Sequence, residues 1–177
     1  MKKIVSFALL TAMMFTCLFA FSACNSGGNS KNGEISSLTY EVGNFSVEVP
    51  DGWTAFPAEG NANTVTLAKG AQSVADLASV PNICIDFYGK DRILMTPQSD
   101  YYSNAQMLEA RQFGDFTWEG FTAESLNYPL AVLWTKNPDI DIDIQISIWL
   151  ELSGSKISLD DTDVNLIISS IKSTEAA

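Results

Sequence analysis

The stretch DIDIDIQISIWL, residues 139–150, carries the clearest structural pattern in the chain. Every even-numbered position from 140 to 150 holds Ile or Leu, whereas the odd-numbered positions hold Asp, Gln, Ser and finally Trp149. Successive side chains of a β-strand point to opposite faces, so this pattern predicts a strand with one buried face and one mostly wet face. Such clean alternation is typical of antiparallel sheets.

Shorter segments upstream show the same alternation. Residues 38–42 and 45–49 alternate on either side of Gly43-Asn44, which predicts a β-hairpin with a two-residue turn. Further strands are expected at residues 64–67, at residues 83–88, and two or three times within residues 115–136. The sequence therefore predicts a sheet of many antiparallel strands.

Three helices are also expected. Residues 71–80 form a short helix that ends at Pro81, and Thr96-Pro97 begins a second helix that ends near Gly114. On the second helix, Tyr101, Ala105 and Leu108 are expected to share one face. The last helix starts at about Asp161, and its buried stripe is Val164, Ile167, Ile168 and Ile171. Because amphipathic helices bury their stripes against a sheet, we predict an α+β fold in which an antiparallel β-sheet is flanked by helices.

Two short segments carry a resemblance to a known family. Residues 44–53, NFSVEVPDGW, and residues 167–172, IISSIK, resemble the PsbP-like group, which includes extrinsic photosystem proteins, a nuclear-transport cofactor and many bacterial lipoproteins. The resemblance implies a PsbP-like α/β/α sandwich over residues 34–177. Members of this group serve mainly as accessory or binding modules, and the resemblance carries no catalytic residue to this chain.

The N-terminal residues have the composition of an export signal. Lys2 and Lys3 precede an uncharged apolar run from Ile4 to Phe21. The residues Phe21-Ser22-Ala23-Cys24 resemble the lipobox of bacterial lipoproteins, in which small residues precede a cysteine that receives diacylglycerol and becomes the mature N-terminus. Ser22 and Ala23 match the small residues of that motif, and Phe21 stands where it most often has Leu. We therefore expect a lipoprotein signal peptide over residues 1–23, a lipid on Cys24 and a flexible Gly-, Ser- and Asn-rich tether over residues 24–33.

Two other outcomes for this leader stay open. The apolar run approaches the length that spans a bilayer, so it could remain as an uncleaved anchor. Ala20 and Ser22 also satisfy the small-x-small rule for ordinary cleavage after Ser22. Either way the chain is expected to be exported, with its domain on the extracytoplasmic side of a cell membrane.

Composition excludes several classes of function. The 177 residues contain no histidine, which removes Ser/His/Asp and Cys/His catalysis and zinc sites that need imidazole. The formal net charge of −11 repels phosphate backbones and anionic lipid headgroups, so no nucleic-acid partner is expected. No cofactor motif is present, and we expect a protein that is not an enzyme.

Acidic residues and one thiol are the groups in this chain that could form a chemical site. Asp139, Asp141 and Asp143 are spaced along a strand without a calcium-loop glycine, so they are interpreted as a solvated face and no metal site is predicted. The acids at 160, 161 and 163 are interpreted as helix capping. Cys84 is interpreted as structural, because no histidine or nearby cation is evident to activate it. A pair of carboxylates acting together is not excluded.

Two aromatic residues are candidates for recognition. Trp149 falls on the polar side of the isoleucine strand, where it is either covered by a helix or loop or exposed to a partner. Trp53 follows a Pro-Asp-Gly turn and either covers the edge of the core or takes part in recognition.

These observations favour a non-catalytic binding or accessory module. The expected protein is anchored to the membrane through Cys24 and binds an unknown protein or envelope partner through its sheet face and loops. The alternatives are a small-molecule or metal-binding lipoprotein and, less favoured, a carboxylate-dependent envelope hydrolase.

Overall fold

The computed structural model describes residues 35–88, 96–137 and 142–174. These residues belong to one unit that begins at Ile35. They contain thirteen strands and one α-helix. The strands are β1 Ser37–Val42, β2 Phe45–Pro50, β3 Trp53–Pro57, β4 Thr64–Lys69, β5 Asn82–Phe87, β6 Ser103–Met107, β7 Arg111–Phe113, β8 Phe116–Ser125, β9 Tyr128–Asn137, β10 Ile142–Trp149, β11 Glu151–Leu152, β12 Ser155–Lys156 and β13 Lys172–Ser173. The helix is α1, Thr162–Ser169, and two short 3₁₀ turns cover Val74–Ala78 and Ser99–Tyr101.

The isoleucine strand lies in the middle of the larger sheet. This antiparallel sheet has eight strands in the order β3-β4-β5-β10-β9-β8-β6, with β7 pairing to β8 beside β6. Ile144, Ile146 and Ile148 of β10 are fully buried, which confirms the predicted inward face over the described part of that strand. The alternation thus predicts this strand and which of its faces is buried, whereas its central place in the sheet is known only from the structure.

One side of the large sheet, which we call the inner face, holds the main core. A smaller antiparallel sheet of β1, β2 and β13 contributes Phe45 and Val47 to this core. Phe45 stacks on Phe87 of β5 with ring centroids 5.4 Å apart. Residues of α1 belong to the same cluster, so the hairpin and α1 both pack on the inner face. The predicted β1–β2 hairpin is confirmed, including its Gly43-Asn44 turn.

The C-terminal helix also forms where the sequence predicts it. Asp161 is its N-cap residue, and its buried side chains are Val164, Ile167 and Ile168. Ile171, just beyond the helix, is buried too, at 1% exposure. The spacing of these four residues therefore identifies a real buried stripe.

The helix predicted over residues 96–114 is wrong. The described residues there form a 3₁₀ turn followed by β6 and β7, both of which pair with β8. The residues assigned to one helical face separate: Tyr101 is 86% exposed, Ala105 packs on the side opposite the main core, and Leu108 packs against the main core. Pairing with the edge of β8 supplies backbone hydrogen bonds and overrides the local helix signals.

The predicted fold class is also wrong. The described chain is mostly antiparallel β-sheet with one α-helix, so it is a β-rich fold and not an α+β, PsbP-like α/β/α sandwich flanked by helices. Residues 71–80 contribute only the 3₁₀ turn Val74–Ala78, which buries no side chain. Two of the three expected α-helices do not form, because neither segment has apolar side chains that all bury on one helical face. Within the described residues, no helix is long and apolar enough to cross a membrane.

Candidate functional site

The candidate site lies on the outer face of the large sheet, which we define as the face opposite α1. The strand registers place its side chains in three rows that run across the strands. The first row is Thr54, Ala68, Asn82, Trp149, Leu130 and Ala123. The second row is Phe56, Thr66, Cys84, Ser147, Val132 and Phe121. The third row is Thr64, Asp86, Gln145, Trp134 and Glu119.

Aromatic and aliphatic side chains fill one half of this face. We call Phe121, Ala123, Leu130, Val132 and Trp134 the outer cluster; all five are buried. The partly buried rings of Tyr88, Tyr102 and Trp149 pack against it, as does Ala105. Tyr102 lies 5.3 Å from Phe121 between ring centroids. The segment that was predicted as a helix thus covers this half of the outer face as extended chain.

Polar side chains fill the other half. We call Thr64, Thr66, Cys84, Asp86, Gln145 and Ser147 the polar strip. Thr64 is buried, and its hydroxyl donates a hydrogen bond of 2.6 Å to Asp86. The other members are half-buried. The strip therefore presents hydroxyl, amide, thiol and carboxylate groups on a rigid sheet surface, next to the ring of Trp149.

Trp149 lies at the border between the two halves. Its neighbours across the strands are Asn82 and Leu130. The ring packs against the outer cluster and is half-buried, so one part of it remains accessible. Trp149 is thus neither fully covered nor fully exposed, the two outcomes that the sequence allowed. A partner bound to the polar strip can also contact its ring.

Trp53 has a different environment, in the main core. It is 7% exposed, and its indole N–H donates a 2.8 Å hydrogen bond to Oδ2 of Asp163. Lys69 forms a 2.8 Å ion pair with the same oxygen. The geometry supports the interpretation of Trp53 as a cover for the edge of the core, where it joins β3 to the first turn of α1.

Cys84 lies at the centre of the polar strip. Burial raises the pKa of its thiol, and the neighbouring Asp86 charge raises it further, while a hydrogen bond with Thr66 acts in the opposite direction. A thiol with a raised pKa is mostly protonated near neutral pH and is a poor nucleophile. This environment favours the structural interpretation of Cys84.

The three carboxylates predicted to cap the last helix have protein partners. Asp160 pairs with Arg111 at 2.9 Å, and Asp161 accepts a hydrogen bond from the Ser158 amide at 3.0 Å. Asp163 accepts from Trp53, Lys69 and the Val164 amide. Among the described residues, no group of three or more metal-ligating side chains is arranged around a common point. Asp139 and Asp141 lie outside the described residues, as does the side chain of Asp143.

The sequence left open that a pair of carboxylates acts together in catalysis. Among the described residues, the two carboxylates whose pKa values are shifted do not support this alternative. Hydrogen bonds from the backbone amides of Gln72 and Ser73 lower the pKa of Asp76. The pKa of Asp163 is also lowered overall. A general acid in a glycosidase needs a raised pKa, which is the opposite direction.

A small cavity adjoins the outer cluster. It has a volume of about 240 Å³ and is lined by Thr96, Thr117, Glu119, Trp134 and Thr135. The indole N–H of Trp134 donates to Glu119 at 3.2 Å, and the Thr135 hydroxyl donates to the Thr117 carbonyl at 2.7 Å. Typical ligand pockets are larger, at roughly 300 to 1,000 Å³. The cavity could hold only a small polar molecule.

Sequence reasoning identified Trp149 but not the surface around it. The sequence places Gln145 and Ser147 on the polar side of the isoleucine strand, but it does not indicate that this strand pairs with β5, which carries Cys84 and Asp86. The pairing depends on contacts between segments about 60 residues apart in the chain. The alternation within a strand could therefore be read from the sequence, but the pairing of one strand with another could not.

The comparisons with known proteins add little. No family model and no curated protein matches this chain. The chain is similar to a crystal structure of a protein from Bacteroides thetaiotaomicron, with 13% sequence identity and a TM-score of 0.42. The match covers 74% of this chain and 45% of that one, so this chain spans less than half of its length. A likeness this weak supports no conclusion about fold or function.

Proposed function

We propose that the chain is an exported lipoprotein, anchored to the extracytoplasmic side of a membrane through Cys24, whose domain binds a protein or envelope partner without catalysis. The observation that carries the binding part is the polar strip beside Trp149. It is a half-exposed sheet surface rich in hydrogen-bonding groups, on the face opposite α1. Such a surface supports recognition by contact, because polar groups with a neighbouring aromatic ring provide both specificity and buried area.

The anchoring part of the proposal rests on the sequence. The basic residues Lys2 and Lys3, the apolar run and Ser22-Ala23-Cys24 have the order of a lipoprotein leader. The unit described by the structure begins at Ile35, eleven positions after Cys24. A lipid on Cys24 would therefore hold the domain close to the bilayer.

A substitution at Cys24 tests the anchor. Cys24→Ala protein is expected to leave the membrane fraction after a high-salt wash, whereas wild-type protein stays, because two acyl chains hold a protein on a bilayer and net charge does not. Cys17→Ala, in the apolar run, is the matched control and should behave as wild type. Retention of Cys24→Ala protein in washed membranes would contradict the proposed anchor.

Photo-crosslinking tests the binding surface. A photoreactive amino acid in place of Gln145, on the polar strip, is expected to crosslink the membrane-bound protein to a partner. The same amino acid in place of Gln112, an exposed glutamine of β7, is the matched control and should give no product. Equal crosslinking from both positions, or none from position 145, would count against the polar strip.

The cavity lined by Glu119 and Trp134 favours one alternative, a lipoprotein that binds a small molecule. A thermal-shift screen against metal ions, amino acids and sugars tests it. A ligand at 100 times its Kd adds about 2.7 kcal/mol to the unfolding free energy, which raises Tm by several degrees. A shift that Glu119→Gln abolishes would place the ligand in this cavity and would replace the surface-binding proposal.

A further inference from the structure

The exposed apolar side chains are concentrated at one end of the large sheet. Six large hydrophobic residues are exposed in the described part of the chain: Leu38, Val74, Tyr101, Met107, Leu126 and Tyr128. All except Met107 lie near the end at which β3, β5, β6 and β9 begin and β4, β8 and β10 finish. We call this the proximal end.

The strand registers place these residues there. The β8–β9 turn carries Leu126, and Tyr128 begins β9. Tyr101 precedes β6, whose first residue, Ser103, pairs with Glu124 near the finish of β8. Val74 lies in the connection from β4 to β5, both of which meet the rest of the sheet at this end.

The chain also enters its described unit at the proximal end. Ser36 accepts a hydrogen bond from the Asp51 amide at 2.9 Å, directly before the start of β3. Ile35 lines the same surface depression as Asp51 and Lys69, and Lys69 is the last residue of β4. Leu38 follows three residues after Ile35 and pairs with Val49, near the finish of β2.

The most exposed aliphatic residue of this group has an unfavourable backbone conformation. Leu126 is 83% exposed and has a φ of +52°, and Asn127 beside it has a φ of +66°. A two-residue turn of this kind favours Asn-Gly, and a leucine there is strained as well as exposed. Neither hydrogen bonding nor core packing explains a leucine at this tip, which points to a role in contact with another surface.

We propose that the proximal end rests on the surface of the lipid bilayer, with Leu126, Tyr101 and Tyr128 in contact with the headgroup region. This inference rests on the proposed lipid anchor at Cys24. The eleven residues from Cys24 to Ile35 span at most about 40 Å whatever their conformation. A lipid on Cys24 therefore keeps the proximal end near the bilayer, and that high effective concentration makes even a weak contact persistent.

The arrangement of the side chains favours a bilayer over a protein partner. The exposed residues lie at several places across this end: the β8–β9 turn, the segment before β6, the β4–β5 connection and strand β1. A bilayer can accept side chains at each of these places independently. Tyrosine is enriched at the membrane interface, because its ring is apolar and its hydroxyl is polar. Several carboxylates lie at the same end, in the connections and in the depression that Ile35 lines: Asp51, Asp76, Asp100, Asp160 and Asp161. The contact therefore depends on apolar side chains and suits a zwitterionic surface, not an anionic one.

The test uses the lipid-modified protein, purified from membranes and reconstituted in phosphatidylcholine vesicles. Leu126→Cys, in a Cys84→Ser background, carries a polarity-sensitive fluorophore. Met107→Cys is the matched control, because Met107 is 65% exposed and pairs with Phe121, about 17 Å along β8 from Leu126. Tyr101→Cys gives a second position at the proximal end.

The expected result is a blue-shifted emission and quenching by brominated lipid at positions 126 and 101, with neither change at position 107. Water-like emission at all three positions, on protein that floats with the vesicles, would overturn the inference and leave the anchor intact. Failure to float would overturn the anchor, and this inference with it. A probe at 126 that is shielded only in native membranes would indicate a protein partner and overturn the lipid contact.

Discussion

Asp163 connects three parts of the chain through one carboxylate. Trp53 of β3 and Lys69 of β4 both contact its Oδ2 at 2.8 Å, and its Oδ1 accepts from the Val164 amide in α1 at 3.0 Å. Burial raises the pKa of this carboxyl, but the hydrogen bonds from Lys69 and Trp53, the Lys69 charge and the Val164 amide outweigh burial and lower the pKa overall. The ionised form is therefore the one that stabilises the fold.

Replacing this carboxylate should make stability less dependent on pH. We expect Asp163→Asn to lower the unfolding free energy at neutral pH by about 1 kcal/mol, since hydrogen bonds to a charged group are the stronger ones. Because the folded-state pKa lies below the unfolded one, the stabilisation is complete above the unfolded pKa and is lost as pH falls through the folded pKa. The difference in unfolding free energy between wild type and Asp163→Asn should thus become smaller below about pH 5.

Urea unfolding at a series of pH values measures this difference. Asp115→Asn, at an exposed position before β8, is the matched control and should change stability little. A difference that stays constant on acidification would show that Asp163 acts through packing and not through its charge.

The individual site residues could be predicted only in part. The sequence places Trp149 on the polar side of its strand, and it offers covering of the core edge as one role for Trp53. The partner of the Trp53 indole, Asp163, lies 110 positions away, so no local pattern could reveal it. The same limit applies to Cys84 and Ser147, which become neighbours only through strand pairing.

At the scale of elements, the close approach of the β7–β8 turn to α1 is a critical contact. Gly114 has a φ of +58°, and a Cβ atom there would lie 2.1 Å from the carbonyl oxygen of Ser169, the last residue of α1. Glycine is needed at this position for both its backbone conformation and its size.

Alanine substitutions at Gly114 and Gly60 separate the need for a positive φ from the need for a small residue. Gly114→Ala should lower the unfolding free energy by about 3 kcal/mol or more, since backbone strain and a steric clash add. Gly60→Ala is the control, because Gly60 has a φ of +73° but nothing within 4 Å of the added Cβ, so only the strain of about 1 to 2 kcal/mol is expected. Similar losses in thermal unfolding would mean that the turn shifts to relieve the clash.

Elements with strong, independent signals were predicted correctly. The β1–β2 hairpin, the isoleucine strand and α1 all have clear periodicity, and the hairpin also has turn residues. The segment from Thr96 to Gly114 failed because its helical spacing was accidental: Ala105 and Leu108 bury against opposite faces of the sheet. Short polar segments beside a strand edge take their conformation from pairing, which sequence periodicity does not record.

At the scale of the whole molecule, the two chain ends of the described unit are joined. β13 pairs with β2 through Lys172 and Ser173, and the Thr174 amide donates to the Asn44 carbonyl at 2.8 Å. Ile171 is buried in the main core. The small sheet is thus built from segments about 126 residues apart.

Removing the last strand should therefore weaken the entire domain. We expect deletion of residues 171–177 to lower the unfolding free energy by about 3 kcal/mol or more, because it exposes the core position of Ile171 and removes β13. Deletion of residues 175–177 alone is the control and should have little effect. Circular dichroism in the near and far ultraviolet would report the loss, and equal stability of the two deletions would mean that β13 does not contribute.

The pairing of β2 with β13 also sets the order of events when the chain is made. During synthesis the β1–β2 hairpin emerges first, and its partner strand β13 appears about 126 residues later. Contacts between distant segments slow folding, so the finished domain forms only after β13 has been made. Until then the core that buries Phe45 and Val47 is incomplete, so these apolar side chains stay exposed in the growing chain.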